Sequence, residues 1–229
     1  MKNKYLYYAF FVIGIAFIIW VIILNSGGSE FNYTISEQDG TKIYTIEDVS
    51  VVESEKETDL VLIMVKDYGA MIAELYPGVA PITVANFKKL VGNKFYDGLT
   101  FHRVISNFMI QTGDPTATGS GGSDENIKGE FRSNGVENDI SHKRGVLSMA
   151  RVVLDPETKE SLNSASSQFF IVQSDSTYLD GDYAAFGKVL HGLEVVDDIS
   201  RVQTNENDKP LKDVVIDYIK FISYFEGED

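Results

Sequence analysis

Between Leu60 and Ile222 the chain carries eight short runs with strand character, and that count limits its architecture more than any other feature. The runs are LVLIMVK (60–66), MIAELY (71–76), LTFHRVI (99–105), FMIQTG (108–113), GVLSMA (145–150), SQFFIVQS (167–174), AAFGKVL (184–190) and VVIDYIKFI (214–222). Most are rich in branched and aromatic residues, which fit a pleated surface. Two other stretches have helical spacing. ITVANFKKLV (82–91) follows Pro81 and sets Val84, Phe87, Leu90 and Val91 on one side. GLEVVDDISRV (192–202) does the same with Leu193, Val196 and Ile199. Eight strands and two helices predict a mainly β domain, a closed eight-stranded antiparallel barrel capped by two α-helices.

Upstream lies a different kind of segment. From Tyr5 to Leu24 there are 20 residues without a charge. As a helix they would span about 30 Å, the thickness of a bilayer's hydrocarbon core. Tyr5, Tyr7 and Tyr8 at one end and Trp20 near the other suit the two interfaces. The run is long for a cleaved signal peptide, no small-x-small site follows it, and no cysteine offers a lipid attachment point. The expectation is an uncleaved, single-pass transmembrane helix over 5–24. Lys2 and Lys4 precede it, so residues 1–4 are expected in the cytoplasm and the bulk of the chain outside the cell membrane. Residues 25–58 read as a tether, NSGGS, then alternating runs around Gln38-Asp39-Gly40 that predict a small hairpin. The main domain is expected over 59–224 and an acidic tail over 225–229. Asn32-Tyr33-Thr34 matches a glycosylation triplet of a kind common by chance.

Composition and spacing exclude several chemistries. With Lys2 and Lys4 set aside, 18 basic residues face 34 acidic ones, a formal charge of −16. Nucleic-acid phosphates would be repelled, so no nucleic-acid partner is expected. The chain has no cysteine, hence no disulfide and no thiolate metal site. His102, His142 and His191 lack metal-ligand spacing, and no G-x-S-x-G elbow marks a hydrolytic serine. The glycine-rich TGSGGSDE (118–125) lacks the lysine and following helix of a phosphate cradle. Neither metal nor cofactor is expected.

The residue that asks for an explanation is Arg103, inside FHRVISNFMIQTGD (101–114). No acid stands nearer in sequence than Asp97 and Asp114. Burying an unpaired charge is costly, and arginine cannot shed its proton. Strand alternation sets Arg103 on one face with Phe101 and Ile105, and Met109 with Gln111. Pairing of the two runs would bring Gln111 to the guanidinium above an apolar floor of Phe108 and Met109. Such a surface would bind something apolar that carries an amide. The same pattern also describes an arginine extending out of a core strand towards water.

Together, FHRVISNFMIQTGD, GVLSMA, SSQFFI, LDG and AFGKV resemble the signature blocks of cyclophilin-type peptidyl-prolyl cis-trans isomerases, in order and approximate spacing from about 59 to 223. NSASSQFF and Tyr183 resemble bacterial members in particular. The resemblance implies the barrel with two capping helices and a site on its outer surface. It implies that Arg103 is the catalytic arginine and Gln111 the residue that holds it. Phe108, Met109, Phe170 and Leu179 would form the pocket for the proline ring. Ala150, Arg151 and Gln168 would line the peptide groove, with the backbone at Arg151 bonding the substrate chain.

Three departures stand out. Tyr178 replaces a tryptophan of many members at a position that contributes to cyclosporin binding, so weak binding of that drug is expected. Tyr183 replaces a pocket histidine, as in bacterial relatives. The link VVLDPETKESLN (152–163) is longer than usual and lies beside the groove by sequence. What the resemblance implies is isomerisation of X–Pro bonds, with Arg103 donating to the prolyl nitrogen in the twisted state; the expected anchor makes the substrates unfolded or nascent exported polypeptides. A membrane-tethered proline-peptide-binding scaffold is the alternative.

Overall fold

The structure, a computed structural model, describes residues 6–8, 21–23 and 32–225. Strands β1 (Leu6–Tyr8) and β2 (Val21–Ile23) pair antiparallel with each other. Both fall in the run expected to be a transmembrane helix; these residues satisfy their backbone groups across a ladder instead of along a helix. The rest of that expectation lies outside the described residues, as do residues 1–4, the NSGGS tether and, apart from Phe225, the acidic tail. Among the described residues no helix is long and apolar enough to cross a membrane.

The expected hairpin is a three-stranded meander, β3 (Tyr33–Gln38), β4 (Thr41–Ile46) and β5 (Val49–Glu53). Asp39-Gly40 makes the first turn with φ of 50° and 77°, the geometry a two-residue hairpin loop needs. The second turn, at Glu47-Asp48, has no glycine to announce it, and Glu47 takes φ of 56°. Its carboxylate accepts from Gly192 N at 3.3 Å and meets His191 Nδ1 at 2.9 Å, so tertiary contacts hold a turn that local chemistry does not favour.

All eight predicted runs form strands: β6 (Leu60–Val65), β7 (Gly69–Leu75), β8 (Arg103–Ile105), β9 (Met109–Thr112), β10 (Val146–Met149), β11 (Phe169–Val172), β12 (Ala185–His191) and β13 (Ile216–Tyr224). They do not make a closed eight-stranded barrel. With the meander they form one open eleven-stranded sheet in the order β3-β4-β5-β13-β6-β7-β12-β10-β11-β9-β8. The reason lies in β13. One of its edges is taken by β6, and the other is divided. Near its start Val215 bridges Thr100, while Phe101 N donates to Val214 O at 2.9 Å. Its last residues pair instead with β5. The two ends of the barrel therefore meet through a bridge and a few hydrogen bonds, not a ladder.

The predicted helices are α1 (Pro81–Gly92) and α3 (Leu193–Ser200); a third, α2 (Lys159–Leu162), lies in the long link and starts with a reciprocal cap between Thr158 and Ser161. Proline is tolerated at the first position of α1, where no backbone N–H is needed. Ala80 provides no side-chain cap; the buried Glu130 carboxylate accepts from Ile82 N at 3.0 Å and Thr83 N at 2.7 Å instead.

The core explains why β6 reads as a continuous apolar run. Val61, Ile63 and Val65 face the main interior, where Phe87 of α1 packs against Tyr96, Phe169 and Phe186 at ring separations of 5.2–5.4 Å. Leu62 and Met64 face the other way, into a second cluster with Tyr44, Ile46, Val51 and Ile72. A strand buried on both faces needs no polar alternation. The meander supplies that second cover.

Candidate active site

Arg103 and Gln111 are register partners across β8 and β9, and Gln111 pairs with Phe170 of β11 on its other side. Arg103 Nη1 donates to Gln111 Oε1 at 3.3 Å. Gln111 Nε2 donates to Gln168 Oε1 at 2.8 Å, and Gln168 Nε2 donates to the carbonyls of Gly119 and Gly121 at 3.0 and 2.6 Å. The glycine-rich stretch is thus a wall for this relay. It is gathered around buried Asp114, which accepts from the backbone N–H of Thr116, Thr118, Gly119 and Gly121 at 2.7–3.1 Å. Burial opposes the charge of Asp114, but donors from Thr116, Gly121 and Gly119 outweigh it and hold the carboxyl well below its usual range. A side chain at Gly121 would collide with that carboxylate.

Sequence reasoning missed Asp208. It sits 3.8 Å from Arg103 Nε, carried there by a turn in which Val104 N donates to its carbonyl at 2.8 Å. Both partners are more than 40% exposed, so the pair orients the guanidinium more than it stabilises the fold. Asn207-Asp208 reads as a turn in the sequence, but nothing local says that it returns to β8.

All the expected site residues except Gln168 line one cavity of about 440 Å³, together with Val153. Gln168 lines a neighbouring cavity with Gln111, Ala150 and Arg151. Met109, Phe170 and Leu179 are buried in the floor. Tyr183 stands edge-on to Phe170 at 5.9 Å, and Phe108 tilts against the exposed Tyr178 at 5.9 Å. Arg151 lines the groove, but its side chain turns inward, over Tyr183 at 5.0 Å and Phe131 at 5.2 Å.

Behind the floor lies an arrangement that histidine spacing did not reveal. His142 Nδ1 meets Asp180 at 2.8 Å, and its Nε2 meets Ser148 Oγ at 2.9 Å. A serine, a histidine and an aspartate in line suggest a hydrolase, yet Ser148 and His142 are buried, and a nucleophile must reach its substrate. The trio is a support. His142 stacks beside Phe170 at 6.2 Å, and Ser148 is the register partner of Phe170.

The site is thus a guanidinium beside an apolar hollow on the sheet surface. A family model described as cyclophilin type peptidyl-prolyl cis-trans isomerase/CLD matches residues 60–220, and the chain belongs to this family. It is a peptidyl-prolyl cis-trans isomerase of the cyclophilin type. Its relatives include peptidyl-prolyl cis-trans isomerase-like 1 of Emericella nidulans, 40% identical over 65% of this chain and 86% of the relative. A putative isomerase of Staphylococcus saprophyticus is 35% identical over 72% of this chain and 92% of its own length. Peptidyl-prolyl cis-trans isomerase B of Bacillus subtilis is 44% identical over 60% and 87% respectively. Among solved structures, a cyclophilin-type isomerase of Cryptosporidium parvum crystallised in the presence of the dipeptide Ala-Pro matches with a TM-score of 0.63 and 31% identity. That match covers 72% of this chain and 99% of the other.

Proposed function

We propose that the chain isomerises X–Pro bonds at the cavity under Arg103. Rotation about a peptide bond meets a barrier of about 18–20 kcal/mol because the nitrogen lone pair is delocalised. In the twisted state the prolyl nitrogen becomes pyramidal and its lone pair localises. A hydrogen bond from Arg103 to that nitrogen forms only then, so it stabilises the transition state selectively. Met109, Phe170, Leu179 and Phe108 hold the ring while the preceding carbonyl swings, and the backbone at Arg151 bonds the peptide. The observation that carries this reading is the Arg103–Gln111 hydrogen bond at the mouth of a cavity floored by Met109, Phe170 and Leu179.

The substrates, on this reading, are proline-containing segments of unfolded exported polypeptides, met outside the cell membrane; the segment that would hold the domain there is the apolar stretch 5–24, of which residues 6–8 and 21–23 pair as strands. What supports it is the uncharged run behind Lys2 and Lys4. Kinship with bacterial members rests on NSASSQFF and Tyr183. Weak cyclosporin binding follows from tyrosine at 178. Exchange spectroscopy on a short Ala-Pro peptide tests the activity at this site: catalytic amounts of the full-length chain accelerate cis–trans exchange, and no acceleration would favour a proline-peptide-binding scaffold. Sedimentation with membranes, and protease sensitivity of the domain from the outer side, test the tether.

A further inference from the structure

The long link beside the groove carries an unusual surface. Val152, Val153 and Leu154 are 54%, 57% and 46% exposed, three consecutive large apolar side chains. Among the described residues seven large hydrophobic side chains are exposed, and these three with Tyr178 make four of them. Val153 and Tyr178 line the cavity above Phe170, and Val152 lines the neighbouring one. Val152 and Val153 therefore form a ridge at the junction of two cavities, with the exposed Leu154 next in the chain. Leaving it in water forgoes about 25 cal/mol per Å² of apolar area, which a ligand lying in the groove would recover.

The ridge has firm footings. Val152 N donates to Ser164 Oγ at 2.8 Å, and that hydroxyl donates to Ser161 O at 2.7 Å, at the capped helix α2. From the far side Glu157 Oε1 pairs with Arg151 Nη1 at 2.5 Å. Arg151 Nε also donates to Asp182 O at 2.9 Å, and its side chain is only 4% exposed. A sheltered ion pair of this kind holds geometry better than one at the surface. Because the guanidinium also stacks on Tyr183, the ridge is tied to a wall of the cavity.

We propose that residues 152–154 form a specificity element: a large apolar side chain within two residues of the proline lies on this ridge, and the Arg151–Glu157 pair positions it. One extended residue spans roughly 3.3–3.6 Å, so a peptide with its proline in one cavity sets a near neighbour at the other. The two cavities share Gln111, Ala150 and Arg151, which makes the path continuous. The proposal rests on reading the Arg103 cavity as the proline site.

The test is kcat/KM of the full-length chain on proline peptides carrying Ala, Leu, Phe or Lys one or two positions from the proline. Leu or Phe is expected to exceed Ala by about 10-fold, the scale of one or two buried methylenes. The double variant Val153→Ser/Leu154→Ser is expected to cut that ratio by about 5- to 10-fold, and Glu157→Gln to lower it in the same direction. Circular dichroism and cooperative unfolding check that these exposed substitutions leave the fold intact. A ratio unchanged in the double variant, or a preference for Lys, overturns the proposal. Arg103→Ala run in parallel separates the failures. A retained rate overturns the proline site itself, whereas a lost rate with an unchanged ratio in the double variant overturns the ridge alone.

Discussion

Gln111 Oε1 accepts a hydrogen bond from Arg103 Nη1 at 3.3 Å while its amide donates to Gln168 at 2.8 Å, so one glutamine fixes the guanidinium and is itself fixed. Its amide cannot flip without losing both bonds. A side chain held from behind loses less freedom when it meets its transition-state partner.

Gln111→Leu keeps approximate volume and removes both hydrogen bonds. Steady-state kinetics on an Ala-Pro peptide are expected to show kcat falling by about 10-fold or more, with a smaller change in KM. An unchanged kcat would mean that Asp208 alone orients the arginine.

The meander is a structural part of the domain. Ile46 is fully buried in the cluster that covers the outer face of β6 and β7. Ile46→Ala is expected to cost about 2–5 kcal/mol, the range for a buried isoleucine, measured by urea unfolding. A loss below about 0.5 kcal/mol, the scale of surface substitutions, would mean that residues 33–53 rest on the sheet without stabilising it.

How much of this the sequence disclosed can be argued residue by residue. Short runs rich in branched and aromatic residues located all eight strands, because such side chains fit a pleated surface. The same runs held an unread clue. LVLIMV is apolar at consecutive positions, which requires cover on both faces, and a single layer of capping helices covers only one. Gln111 was legible as the partner of Arg103 because strand register is local. Asp208, Glu130 and the Glu47 contact with His191 were not, since each comes from a distant loop and leaves no periodic trace. The link 152–163 was legible as long and beside the groove, but the exposure of Val152, Val153 and Leu154 was not, because apolar residues in sequence carry no sign of which side they face.

His142 gives a pH dependence with a definite sign. Burial pushes its imidazole below the ordinary value, against the opposing pull of Asp180. The folded ring is then neutral at a pH where the unfolded one, with a value of about 6.5, takes up a proton. Stability is therefore full above about pH 6.5 and declines as pH falls below it, because the unfolded state binds more protons. Burial pushes His102 the same way. Urea midpoints measured from pH 7.5 down to about 5.5 are expected to fall, and His142→Asn to flatten the decline. A rising midpoint over that range would contradict a neutral buried His142.

The central claim is that the Arg103 fork, and not merely a positive charge, stabilises the twisted amide. Arg103→Lys keeps the charge and loses the planar donors, at a position exposed enough for the fold to survive. The decisive measurement is the cis–trans exchange rate of an Ala-Pro peptide with the full-length Arg103→Lys chain. The expected result is a loss of about 100-fold or more in kcat/KM, as for removal of a single transition-state donor, with unfolding unchanged. A rate within about twofold of the unaltered chain would contradict the account, since a donor of that importance cannot be replaced without cost.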